Sequence, residues 1–457
     1  MGSVKIRNIL LVVVVLVVAA VGVSLVALSR SAEWTTQSNE ALVEFEAGLG
    51  ANQKLYKQEA RAHFELALKL DPDFVVAKIR IADSCRHEDE ERSKKLLAEV
   101  FESDLSRLTP REVFMVERLT LLTNNEFDEA ARQLDEYLEI HPNDPYVLHT
   151  QALRAWQQVD LQEAESLNKR LLEIDPNWVL AYNQLGYITM MQGRFAEAEE
   201  YFTSYRFIAP DQANPHDSLG ELYILLGKYE QAEESLERAL ANKPDFMAAF
   251  EHLAMVDALR NDWEGATRRL ERGVQTGAIS AEYTTGARCG LDFWRLVQDR
   301  DWQAVMKLAE EECNPEKTSD IGSGIFLHKA ACRLGDWELA ETIEAGIRKS
   351  IDEAEESKRA RTFDLLSPIL HHLVGVRLSL QDNPTNAIEE LKQADEKLSY
   401  LNAGLGIFKL SNRMALAHSL MISGHEAEAH ALVAEVKAVN PRLAQQFEEN
   451  LMADSAL

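Results

Sequence analysis

Glycine and proline are scarce in this 457-residue chain, at 21 and 12. With 46% hydrophobic and 27% charged residues, that scarcity excludes a disordered tail and points to a folded, mostly helical protein. Cysteine is scarcer still. Cys85, Cys289, Cys313 and Cys332 form no C-x-x-C and no zinc spacing, so they are expected as buried thiols, with one disulfide open to an oxidising compartment. Basic residues are outnumbered, 48 against 75, for a net charge of -27. Such a surface repels phosphate backbones, so nucleic acid is excluded as a partner. No usable N-x-S/T sequon occurs, because Asn383-Pro-Thr carries a blocking proline.

Signatures of chemistry are also missing. Gly48–Gly50 lacks the lysine of a phosphate loop, and Ser84-Cys85 sits in no nucleophile motif. No pair among His418, His425 and His430 has i, i+4 spacing, and the adjacent His371 and His372 point in different directions on a helix. No enzyme, no metal and no cofactor are expected.

The first thirty residues contain no acid, only Lys5, Arg7 and Arg30. Between them Ile9–Leu28 carries no charge, and fifteen of its residues are Val, Leu or Ile. As a helix it spans about 30 Å, the hydrocarbon thickness of a bilayer. The run exceeds the 7–15 residues usual for a cleaved signal core, which favours an uncleaved anchor. Ile9, Leu10, Leu16, Val21 and Leu28 then lie in lipid. Residues 1–8 form a short cytoplasmic tail, 29–40 a polar tether, and the positive-inside rule exports the remainder, into the periplasm if the source is bacterial.

A 34-residue period runs through the middle of the chain. Ala130, Ala164, Ala198, Ala232 and Ala266 form one ladder; Pro142, Pro176, Pro210 and Pro244 a second; Phe127, Leu161, Phe195, Tyr229 and Trp263 a third. One unit earlier, Ala60 and Pro72 repeat the pattern two residues out of phase. Within a unit, apolar residues recur at helical spacing in two blocks (Leu219, Leu222, Tyr223, Leu226, then Ala232, Leu236, Ala239, Leu240), parted by Gly227. Each unit is therefore two helices and a turn. Gly220 and Ala232 are small where the helices cross, and Pro244 stops the second helix from continuing. A helix start is legible at Thr109-Pro110-Arg111-Glu112, with Thr109 as N-cap and Glu112 closing a capping box.

These ladders resemble the tetratricopeptide repeat family. The resemblance is specific from Arg111 to Gly273 and looser over 281–457, where the turns of "DRDWQAV" and "LGDWELA" repeat that of "RNDWEGA". It implies an all-α fold, a right-handed α-solenoid of stacked antiparallel helix pairs, with an N-terminal array over 41–280, an irregular array with a capping helix over 281–457, and the transmembrane helix in front. It also implies a groove for protein or peptide partners. Carried over position by position, the groove takes Tyr146, His149, Leu153 and Trp156 from one unit, Leu180, Asn183, Tyr187 and Met190 from the next, and Asn214, Asp217, Glu221 and Ile224 from a third. Asp217 and Glu221 would favour a neutral or basic ligand over an acidic one. The expected function is a membrane-anchored scaffold, an assembly factor or accessory subunit. The alternatives are an ectodomain sensor working with a separate cytoplasmic signalling protein, or an organelle import-type receptor with cytosolic repeats.

Overall fold

A computed structural model describes residues 33–86, 88–311, 313, 321–356 and 360–454. The apolar run with Ile9, Leu10, Leu16, Val21 and Leu28 lies outside them. Among the described residues no helix is long and apolar enough to cross a membrane, and no residue is in a strand.

The chain divides into two compact units, Met1–Pro176 and Asn177–Leu457. The first contains α1 (Asn39–Gln53), α2 (Lys57–Leu70), α3 (Val75–Cys85), α4 (Glu90–Phe101), a 3₁₀ turn (Leu105–Arg107), α5 (Pro110–Thr123), α6 (Phe127–Ile140), α7 (Pro145–Gln157) and α8 (Leu161–Ile174). The second opens with α9 (Val179–Met191), α10 (Phe195–Ile208), α11 (Asn214–Leu225), α12 (Tyr229–Asn242), α13 (Met247–Leu259) and α14 (Trp263–Gln275). It continues with α15 (Ala281–Gln298), α16 (Trp302–Glu311), α17 (Ile321–Leu334), α18 (Trp337–Glu356), α19 (Ala360–Leu380) and α20 (Pro384–Lys397), and ends with α21 (Ala403–Ile422), α22 (Glu426–Val439) and α23 (Pro441–Asp454). The expected boundary at 280/281 is not where the units part, because the end of the second unit packs against α11.

The ladders place these helices. The third ladder supplies the first residue of the second helix in each pair: Phe127, Leu161, Phe195, Tyr229 and Trp263. In the looser region Trp302 and Trp337 open helices in the same way. The alanine ladder is buried, with Ala164, Ala198, Ala232 and Ala266 fully inaccessible. Where two helices cross, a Cβ on Gly220 would lie 2.7 Å from Leu236 Cγ, and one on Gly186 2.3 Å from the Phe202 ring. The turns take one left-handed residue each, again 34 apart: Asn125, Val159, Gly193, Gly227 and Asn261, with φ between 61° and 75°. Thr109 and Glu112 form the expected capping box at the start of α5.

Of the expected polar tether 29–40, residues 29–32 lie outside the described residues, and residues 33–37 are packed down rather than extended away from the fold. Trp34 is 2% exposed, packed edge-on to Phe45 and Tyr146 at 5.2 and 5.4 Å. A lone indole in a polar segment buries too much apolar surface to stay in water.

Candidate partner-binding surfaces

In the first unit, the segment from Glu33 to Gln37 is tied to the end of α2 and the start of α5. Thr35 donates its N–H and hydroxyl to the two Glu112 carboxylate oxygens, at 2.7 and 2.5 Å. The Thr36 hydroxyl and the Gln37 N–H both donate to Asp71 Oδ2, at 2.6 and 3.0 Å. Burial would raise the Asp71 pKa, but those donors prevail and hold it below the usual value. Arg111 lies over both the Trp34 and Tyr146 rings and pairs with Asp144 at 2.7 Å and Glu33 at 2.9 Å. Tyr146, a predicted groove residue, is thus already engaged by the chain's own segment. His149 is pushed down to about 4, first by burial and then by the charge of Arg80. Trp156 is half-buried and Leu153 38% exposed on the same helix.

The second unit brings the other predicted residues together under its own C-terminal helices. Tyr187 donates to Glu221 Oε2 at 2.7 Å and lies 3.3 Å from Ser218, whose hydroxyl donates to Asn183 at 3.0 Å. His252 lies 2.9 Å from Asp217 Oδ1 and 3.7 Å from Glu221 Oε1. Burial alone would lower the His252 pKa; Asp217 and Glu221 overrule it and raise it to about 10. The same two carboxylates, after burial, carry the Tyr187 phenol well above its ordinary value. The remaining claim on Glu221 comes from far along the chain: the Ala403 N–H, at the start of α21, donates to Oε1 at 3.0 Å.

Around this contact the end of the chain closes on α10–α12. Tyr400 meets Phe195 edge-on at 5.0 Å. Asn440 donates to the Leu225 carbonyl at 3.0 Å while its Oδ1 caps α23 through the Leu443 N–H at 2.9 Å. Arg442 forks onto Glu230 at 3.1 and 2.8 Å and lies over Tyr229. A Cβ on Gly227 would sit 2.4 Å from Asn440 Oδ1. Met190 is fully buried, and Asp217 and Glu221 are 4% and 5% exposed. Their expected place on an open groove therefore needs correcting: they serve a buried network and the cap of α21. Sequence reasoning did not find His252, Asn440 or Arg442, whose partners lie up to 215 residues away. The N-cap pattern Asn440-Pro441 was the one local signal among them.

Two cysteine sites complete the inventory. Cys289 and Cys313 are bonded, joining α15 to the segment after α16. Cys332, His328 and Glu344 carry the groups of a nucleophilic triad, with His328 Nε2 2.9 Å from Glu344 Oε1 and Nδ1 3.7 Å from Cys332 Sγ. Arg377 claims both Glu344 oxygens, at 2.7 and 2.9 Å. All three triad groups are within 4% of complete burial, and burial followed by the Glu344 charge raises the thiol to about 12. This cluster is a packing network with no reachable thiolate. Among the described residues no group of His, Cys, Asp or Glu could hold a metal ion.

Tetratricopeptide repeat family models match residues 119–177, 149–213 and 189–254. No curated protein matches the chain. Among solved structures, a tetratricopeptide repeat protein from Parabacteroides merdae is 18% identical, covering 60% of this chain and 98% of its own, with a TM-score of 0.41. MamA from Desulfovibrio magneticus RS-1 is 20% identical, covering 36% and 94%, with a TM-score of 0.32. PilW, a type IV pilus biogenesis factor, is 17% identical, covering 54% and 96%, with a TM-score of 0.33. With the family models falling on the segment where the 34-residue ladders and paired helices coincide, residues 119–254 carry tetratricopeptide repeats.

Proposed function

We propose that this chain is a membrane-anchored scaffold without catalytic activity, holding a partner protein on the extracytoplasmic side as an assembly factor or accessory subunit. The observation that carries the reading is the docking of Trp34 only six residues after the uncharged run Ile9–Leu28. If that run spans the bilayer, the intervening chain reaches at most about 20 Å. The first repeat unit is then held beside the membrane, where anchoring raises the effective concentration of a weak partner. The Cys289–Cys313 bond supports the exported orientation, because structural disulfides persist in oxidising compartments. It also counts against an import-type receptor with cytosolic repeats.

Fractionation tests the anchor. The full chain is expected in the membrane pellet after alkaline extraction, whereas a chain lacking residues 1–28 is released. Protease added outside intact cells with a permeabilised outer layer should degrade the repeats. Full-length protein in the soluble fraction, or repeats shielded until the inner membrane is lysed, sinks the respective half of the reading.

A further inference from the structure

We propose that a cleft between α5 and α6 in the first unit takes a basic, amphipathic helix from a partner protein. The proposal rests on the scaffold reading but not on the membrane anchor. The cleft has a volume of about 400 Å³. Its floor is a row of three rings: Phe114 lies 4.4 Å from Tyr137, which lies 4.6 Å from His141. Ile140, at the end of α6, is 74% exposed beside them. Phe114 is buried beneath the half-buried Tyr137 and His141, so the exposed Ile140 at their edge is the side chain that an apolar anchor of a partner would cover.

The cleft lies next to a sequence irregularity. The units before and after it are two residues out of phase, and the joint between them falls at Val75–Pro110. There the chain reaches α5 through the Leu105–Arg107 turn, and α4 meets α5 through a small cluster in which Val100 and Val116 are buried against Val75. Ile140, Tyr137 and His141 lie outside that cluster.

Charge selects the occupant. Glu117 and Glu136 line the cleft, and no lysine or arginine does. Glu136 has only a long, exposed contact with Arg132, at 3.7 Å. Gln133 donates to Glu117 at 2.9 Å, which leaves its own Oε1 buried with no donor. A helix presenting leucine-like side chains to Ile140 and lysine or arginine to the rim would pair with both carboxylates.

The test uses the full chain, in zwitterionic nanodiscs with empty discs as the control if it fractionates with membrane, and free in buffer if it fractionates as soluble. The probes are two fluorescent 14-residue helices of identical leucine pattern, one carrying lysines and one glutamates. The lysine probe is expected to bind at least about tenfold more tightly, to lose about tenfold on Ile140→Glu, and to lose salt dependence in the Glu117→Gln/Glu136→Gln double variant. Hydrogen exchange should slow at residues 108–117 and 133–141. Equal binding of both probes, no binding of the lysine probe, indifference to Ile140→Glu or protection elsewhere overturns the proposal. So does self-association of the unliganded chain that Ile140→Glu abolishes, since the occupant would then be a second copy. Failure of the fractionation test would leave this cleft untouched.

Discussion

At the scale of single residues, the repeat is written in steric requirements. The turn position recurring every 34 residues has φ near 60–75°. Glycine fills it at 193 and 227 without cost and asparagine at 125 and 261 with little, but at 159 it holds valine, the worst class of residue for a left-handed conformation. Val159 is 54% exposed, so little packing offsets that strain. Val159→Gly should therefore stabilise the first unit by about 1 kcal/mol, read as a raised midpoint in urea unfolding; an unchanged or lowered midpoint would mean that the strain is absent in solution. His252 makes a second residue-scale prediction. Its folded pKa of about 10 lies above the ordinary 6.5, so the folded state binds a proton that the unfolded state releases between those values. The stabilisation is full below pH 6.5 and is lost as pH rises towards 10. Thermal midpoints measured across that range should fall with pH for the native chain and fall less steeply for His252→Gln.

At the scale of elements, helices were the easy part. Amphipathic spacing, the Thr109–Glu112 box and the tryptophans that open α14, α16 and α18 all read locally. What did not read locally was the fate of short connecting segments. Glu33–Gln37 has the composition of a tether, yet all five of its residues are fixed by other side chains: Glu33 by Arg111, Trp34 by the rings of Phe45 and Tyr146, Thr35 by Glu112, and Thr36 and Gln37 by Asp71. Trp34→Ala should cost about 3–5 kcal/mol as an emptied aromatic site. It should also release the segment, so that limited proteolysis cuts near residues 33–38 in the variant and not in the native chain. Resistance in both would mean that the Thr35, Thr36 and Gln37 hydrogen bonds hold it without the indole.

At the scale of the whole molecule, sequence spacing gave two arrays divided near 280, whereas the compact units divide at Pro176. The difference comes from Ala403, Asn440 and Arg442, which bind Glu221, Leu225 and Glu230. These contacts tie the last helices of the second unit to its first, and they occupy positions expected to face a partner. Cys289–Cys313 adds a covalent tie across a separation of 24 residues, worth roughly 3 kcal/mol in the chain-entropy account. Cys289→Ser/Cys313→Ser should lower the unfolding midpoint of the second unit by a corresponding amount. Thiol alkylation of denatured native protein should label two cysteines without reductant and four with it. Four labelled without reductant would remove the disulfide, and with it the support for an oxidising compartment.

The sequence by itself determined the helices, their pairing and their period, because those depend on neighbours within 34 residues: a small residue at each crossing, a left-handed residue at each turn, a proline after each pair. It also fixed the uncharged run at the start. Only the tertiary structure decided which carboxylates are free. Glu221 and Asp217 look like surface acids in the sequence, but a helix start and a histidine from elsewhere in the fold take them up. Conversely, Ile140 looks like a core residue in the sequence and is 74% exposed beside Tyr137 and His141. Local patterns specify which face of a helix is apolar; what covers that face depends on where distant segments come to rest.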